Sequence, residues 1–98
     1  MFGYLASMRT TPGHRDRVIA LLTGGVDGLR ALGCTLYLVG ASATDDDVIW
    51  VTEVWESREH HEASLSRPEV RAAIAEARPM LTGDVTSAEF TVAGGLGI

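Results

Sequence analysis

The chain has 98 residues, 46% of them hydrophobic, and a formal net charge of −5. That length predicts one domain spanning residues 1–98, with more apolar material than a single small core absorbs, so part of it is expected in a pocket or against a partner subunit. The acidic balance argues against nucleic acid and against an anionic membrane surface as partners, because both need a basic face.

The first residues, MFGYLASMR, lack a basic leader followed by an apolar run, so no signal peptide is read. Instead Phe2 to Arg9 alternates as a strand, with Phe2, Tyr4, Ala6 and Met8 on one face. Thr11-Pro12 predicts a helix start, with Thr11 as cap and Pro12 at the first helical position. Val18, Leu22, Leu29 and Leu32 form its apolar stripe. Gly24, Gly25 and Gly28 interrupt that helix at roughly 1 kcal/mol each relative to alanine, and Gly33 is expected to end it.

Cys34 to Ala41 reads as a second strand. Cys34 is the only cysteine, so an intrachain disulfide is impossible and a reducing cytoplasm is the expected compartment. Its apolar surroundings predict a buried core thiol. The polar run Ala43-Thr44-Asp45-Asp46-Asp47 reads as a solvated turn, since the glycine and distal glutamate of a calcium loop are missing. Val48 to Trp55 follows as a third strand, rich in β-branched and aromatic residues, forming an antiparallel hairpin with the second. Ser57 should cap a short helix running to Leu65. Ser66-Arg67-Pro68-Glu69 has the spacing of a capping box for the next one. Val70, Ala73, Ile74, Ala77 and Leu81 are that helix's expected buried stripe, Pro79 frays its last turn and Gly83 stops it. Val85 to Val92 is the last strand, before a glycine-rich tail that lacks the spacing and context of a nucleotide loop.

The order β-α-β-β-α-β is the split-βαβ plan: an α+β, ferredoxin-like domain with a four-stranded antiparallel sheet and helices on one face. The other face needs a cover, and a homodimer with two sheets face to face would supply it. No apolar stretch approaches the ~20 residues of a membrane span.

The residues that could carry chemistry are few. All eight basic residues are arginines, and lysine, asparagine and glutamine are absent, which removes Schiff-base lysine chemistry, a Walker phosphate loop and amide oxyanion holes. On the third strand Trp50 and Trp55 point to opposite faces, whereas Glu53 shares a face with Ile49, Val51 and Trp55. A glutamate there is either paired or at a wet rim, or it is unpaired with a raised pKa and able to take a proton. His60 and His61 lie about 100° apart on their helix and cannot grip one metal ion together, so no metal site is expected. One of them could face the interior, where an imidazole suits proton transfer. Tyr4 and Tyr37 could offer hydroxyls to a ligand or simply pack their rings.

The run Glu53-Val54-Trp55-Glu56-Ser57-Arg58-Glu59-His60-His61-Glu62-Ala63-Ser64-Leu65, followed by Pro68-Glu69-Val70-Arg71, resembles the antibiotic-biosynthesis-monooxygenase family, and within it the quinol-monooxygenase-like members. The resemblance extends to Pro12-Gly13, Gly33-Cys34 and the tail ending in Gly97-Ile98. It implies a bacterial dimeric α+β barrel that oxidises a quinol or an anthrone-like polycyclic aromatic with O2 and no cofactor, within a pocket walled by aromatic rings. On that reading Trp55, Tyr37 and Tyr4 contact the substrate, and His60 or Glu53 takes its proton. Two departures stand out: Ser64 occupies a position where many members carry histidine, and the asparagine used by haem-degrading members is missing. A non-catalytic barrel that binds a small hydrophobic ligand or serves a stress response is the alternative.

Overall fold

Period-two alternation drives the sheet, and the register fixes which side chains share a face. The computed structural model describes residues 1–98. Strand β1 (Phe2–Thr10) leads to helix α1 (Arg15–Thr23), two 3₁₀ turns (Val26–Gly28 and Arg30–Leu32) and the hairpin of β2 (Cys34–Ala41) and β3 (Val48–Trp55). Then come α2 (Arg58–Ser64), α3 (Pro68–Ala77), a 3₁₀ turn (Arg78–Met80) and β4 (Leu81–Thr91). The four strands form one antiparallel sheet in the order β2-β3-β1-β4. This is the expected α+β, ferredoxin-like arrangement, and no helix is long and apolar enough to cross a membrane.

Several helix boundaries differ from expectation, each for a local reason. Helix α1 begins at Arg15 rather than Pro12, because the Thr11 hydroxyl pairs with His14 Nδ1 at 2.7 Å instead of capping a first turn. It ends at Gly24, where the backbone turns extended, and Gly25 follows at φ +74. The glycine cost therefore appears as a broken helix, with Leu29 and Leu32 carried by 3₁₀ turns. Ser66 does not cap α3. Its backbone N–H is spent on the Ala63 carbonyl, and Arg67 occupies the cap position with no side-chain bond to the helix N–H groups. Gly83 does not stop a helix either. It lies inside β4 at φ +90, where the β1–β4 register shifts between Met8 and Thr10.

One end of the sheet carries the apolar core. Val18 of α1 and Ala77 of α3 close on Ile49 and Val51, with Met8, Val39 and Met80 around them. On the opposite sheet face Leu5, Leu36, Leu38, Trp50 and Phe90 are exposed. Phe90 lies across Gly3, where a Cβ would clash with the ring; glycine lets the aromatic cover the strand.

The β2–β3 loop is held by two arginines. Arg15 Nη1 donates to the carbonyls of Asp45 (2.8 Å) and Ser42 (3.2 Å). Arg9 grips the Asp45 carboxylate with both Nη atoms, at 2.7 and 3.3 Å. The Arg9 hydrogen bond, aided by the Asp47 N–H, holds the Asp45 pKa below the ordinary carboxylate range. A depressed carboxylate contributes stability above its unfolded pKa and loses it as pH falls through the folded value. Asp45→Asn should therefore flatten the acid limb of a stability-versus-pH curve, and urea midpoints between neutral and strongly acid pH should converge with wild type at the acid end.

Candidate active site

The same alternation that builds the core continues down β3 to Glu53 and Trp55. Register sets Tyr4 of β1 and Tyr37 of β2 opposite Glu53, and Phe2 and Cys34 opposite Trp55. Both Glu53 and Trp55 are buried, Trp55 to 1% exposure. The Trp55 indole Nε1 donates to Glu53 Oε1 at 3.0 Å, which satisfies one lone pair of a carboxylate otherwise removed from water.

Helix α2 closes this end of the sheet. Ser57 is its cap, accepting the His60 N–H at 3.2 Å. His61, one residue on, is buried, with its ring centroid 4.8 Å from Tyr4, 5.5 Å from Phe2 and 5.7 Å from Trp55. Its Nε2 stands 3.8 Å from Glu53 Oε1, within ion-pair range but beyond a hydrogen bond. The buried Ser64 hydroxyl donates to the His61 carbonyl at 2.6 Å, one turn on. Arg58 lies over the Phe2 ring, 5.3 Å from its centroid, and pairs with Glu89 at 2.7 Å.

The structure thus gathers Glu53, Trp55, Tyr4 and Tyr37 at one end of the sheet and does not bring His60 to them. His60 is exposed on the rim of α2, with Nδ1 2.6 Å from the Ser57 hydroxyl and Nε2 3.4 Å from Glu56. Its ring packs on Gly33, where φ is +101 and a Cβ would meet the imidazole at 2.7 Å. The histidine beside Glu53 is His61. A signal for this was present: a cap at Ser57 puts residue 60 at the third helical position, whose side chain folds back over the cap.

Electrostatics follow from burial. Desolvation raises the Glu53 pKa, with the Trp55 hydrogen bond and the His61 charge opposing it. Burial, reinforced by Glu53, pushes the Tyr37 phenol up to about 12. Burial and Glu53 also raise the Cys34 thiol, which keeps it protonated and a poor nucleophile. No group of three His, Cys, Asp or Glu side chains converges as metal ligands do.

Comparison with known proteins places this arrangement among relatives. The family model described as antibiotic biosynthesis monooxygenase matches residues 1–76. A Chloroflexus aurantiacus J-10-fl crystal structure named for that family is 44% identical, with a TM-score of 0.87, covering 96% of this chain and 94% of its own. Rv0793 from Mycobacterium tuberculosis shares the fold at 23% identity and a TM-score of 0.81, over 97% of each chain. A Deinococcus radiodurans structure also named for the family does so at 22% identity and 0.76, covering 100% and 98%. Among curated proteins none matches.

The buried carboxylate has a measurable signature. A carboxylate whose folded pKa is raised destabilises the fold as pH climbs from the unfolded value through the folded one. Glu53→Gln keeps the acceptor for Trp55 without the charge. Thermal melts from pH 4 to neutral should show the wild type losing stability relative to this variant as pH rises, and Tyr37→Phe should remove a tyrosinate absorbance step near pH 12.

Proposed function

This chain belongs to the antibiotic biosynthesis monooxygenase family, and we propose that it oxygenates a hydroxyaromatic with O2 at the Glu53 end of its sheet. The substrate class is a quinol or an anthrone-like polycyclic aromatic. The observation that carries this reading is the buried Glu53 carboxylate, with a raised pKa, hydrogen-bonded to Trp55 and flanked by the aromatic-packed His61.

A phenolic hydroxyl gives its proton to Glu53, whose raised pKa brings acceptor and donor closer in strength. His61, 3.8 Å from Glu53, shares that proton and stands in for His60, which the family resemblance offered alongside Glu53 as the base. The resulting phenolate is electron-rich enough to pass one electron to O2, leaving an aryloxyl radical and superoxide. Those two combine at a ring carbon, and the peroxide then breaks: one oxygen stays on carbon and the other leaves as water. Quinol plus O2 balances hydroxyquinone plus water, so the step requires no external reductant or cofactor. Trp55, Tyr4 and Tyr37 contribute walls that exclude water and hold the radical pair together. Tyr37, protonated through the neutral range, remains a hydrogen-bond donor.

We assign the working form as a cytoplasmic homodimer of this single domain, with the exposed Leu38–Trp50–Phe90 sheet face packed on a second copy. An apolar face of that kind on one small domain favours self-association. Trp50→Glu should shift the protein to monomer in sedimentation, with the secondary structure retained in circular dichroism.

Chemistry is checked by O2 uptake and product mass over a panel of quinols and anthrones, with and without chelator. Glu53→Gln and His61→Ala should each lower kcat/KM by about a hundredfold or more, while His60→Ala stays near wild type. Ligand binding without O2 uptake across the panel would return the chain to a binding role. Loss of turnover on chelation alone would sink the cofactor-free route.

A further inference from the structure

Five of the eight arginine side chains are already engaged. Arg9 and Arg15 hold the β2–β3 loop, and Arg17, Arg58 and Arg67 pair with Glu76, Glu89 and Glu69. Arg30, Arg71 and Arg78 have no such partner, and Arg30 lines a cavity of about 250 Å³ between the 3₁₀ turns and the start of β2. The walls of this cavity include Leu29, Cys34, Leu36 and Tyr37. Tyr37 is also the ladder partner of Glu53, so the cavity lies one strand away from the buried carboxylate, about 5 Å between paired backbones.

We propose that this cavity selects a single-ring hydroxyaromatic acid, with Arg30 as the contact for its carboxylate. The inference rests on the oxygenase reading above and names the substrate class within it. Three observations carry it. A guanidinium without a protein partner matches a carboxylate in a planar two-point contact. The cavity volume, about 250 Å³, lies just below the roughly 300–1,000 Å³ usual for small-molecule sites, which suits one ring and not a fused polycycle. Beyond Arg30 the polar groups toward the sheet, the Cys34 thiol and the Tyr37 phenol, are held neutral by burial and by Glu53, so they do not repel an anion.

Asp27 is the opposing charge, three residues before Arg30 on the preceding 3₁₀ turn and lining the same cavity. It gives the mouth a polarity: the ligand carboxylate lies on the Arg30 side and its ring hydroxyls toward Tyr37. Removing Asp27 should strengthen anion binding, whereas removing Arg30 should abolish the preference.

The test is anaerobic titration calorimetry with 2,5-dihydroxybenzoate and its methyl ester, on wild type, Arg30→Gln, Arg30→Lys and Asp27→Asn. The acid should bind wild type at least about tenfold tighter than the ester. That gap should vanish in Arg30→Gln with ester affinity unchanged, return in part in Arg30→Lys, and widen in Asp27→Asn. Equal binding of acid and ester, binding of neither, or a gap that survives Arg30→Gln overturns the proposal. Oxygen uptake is measured separately. A preference for the acid that depends on Arg30, without O2 consumption, supports Arg30 selection and removes the oxygenase reading; equal turnover of acid and ester, indifferent to Arg30, removes the selection alone.

Discussion

The hydrogen bond from the Trp55 indole to Glu53 is the contact on which the arrangement at this end of the sheet depends. A carboxylate on the helix-covered face of a small sheet is costly unless its lone pairs are met. Trp55 sits two residues further along the same strand and therefore on the same face, where it meets one of them. Its bulk also fills space that would otherwise admit water. His61 then packs against a surface made of Trp55, Tyr4 and Phe2, and the buried charge acquires a titratable neighbour.

Strand β3 consequently behaves as a ruler with two graduations. Ile49 and Val51 mark the end where α1 and α3 close a dry core, and Glu53 and Trp55 mark the end covered by α2 and flanked by 3₁₀ turns. Regular helix lies over the apolar half. The half around Glu53 is overlaid by short pieces, which cannot hold their shape by helix propensity and rely on tertiary contacts. Gly33 shows how tight those contacts are: the chain enters β2 directly beneath the His60 ring. Ser64 is buried and its hydroxyl donates to the His61 carbonyl, so this position braces α2.

Much of this was legible in the sequence because strands are read two residues at a time. The bounds of β2 and β3, the opposite orientations of Trp50 and Trp55, and the shared face of Ile49, Val51, Glu53 and Trp55 all follow from alternation. Helix phase was less legible. Neighbouring residues differ by about 100°, so choosing between His60 and His61 required knowing how the Ser57 cap spends the side chain at the third position. The break in the first helix was hinted at by its glycines, but whether glycine bends, breaks or merely weakens a helix is settled by what it packs against. Nothing in the periodicity could bring Arg30 and Tyr37 to one cavity, since that depends on the path of the chain between α1 and β2.

The two tryptophans divide the molecule optically as well as structurally. Trp50, 46% exposed, looks out from the uncovered face, and Trp55, 1% exposed, is hydrogen-bonded to the carboxylate within. They are the only indoles in the chain, and they sit on one strand five residues apart with the sheet between their rings. The first indole meets whatever lies against the outer face, and the second meets the Glu53 carboxylate. Replacing either one with phenylalanine leaves a single chromophore, so events on the two faces of one sheet can be followed as separate signals without an added label.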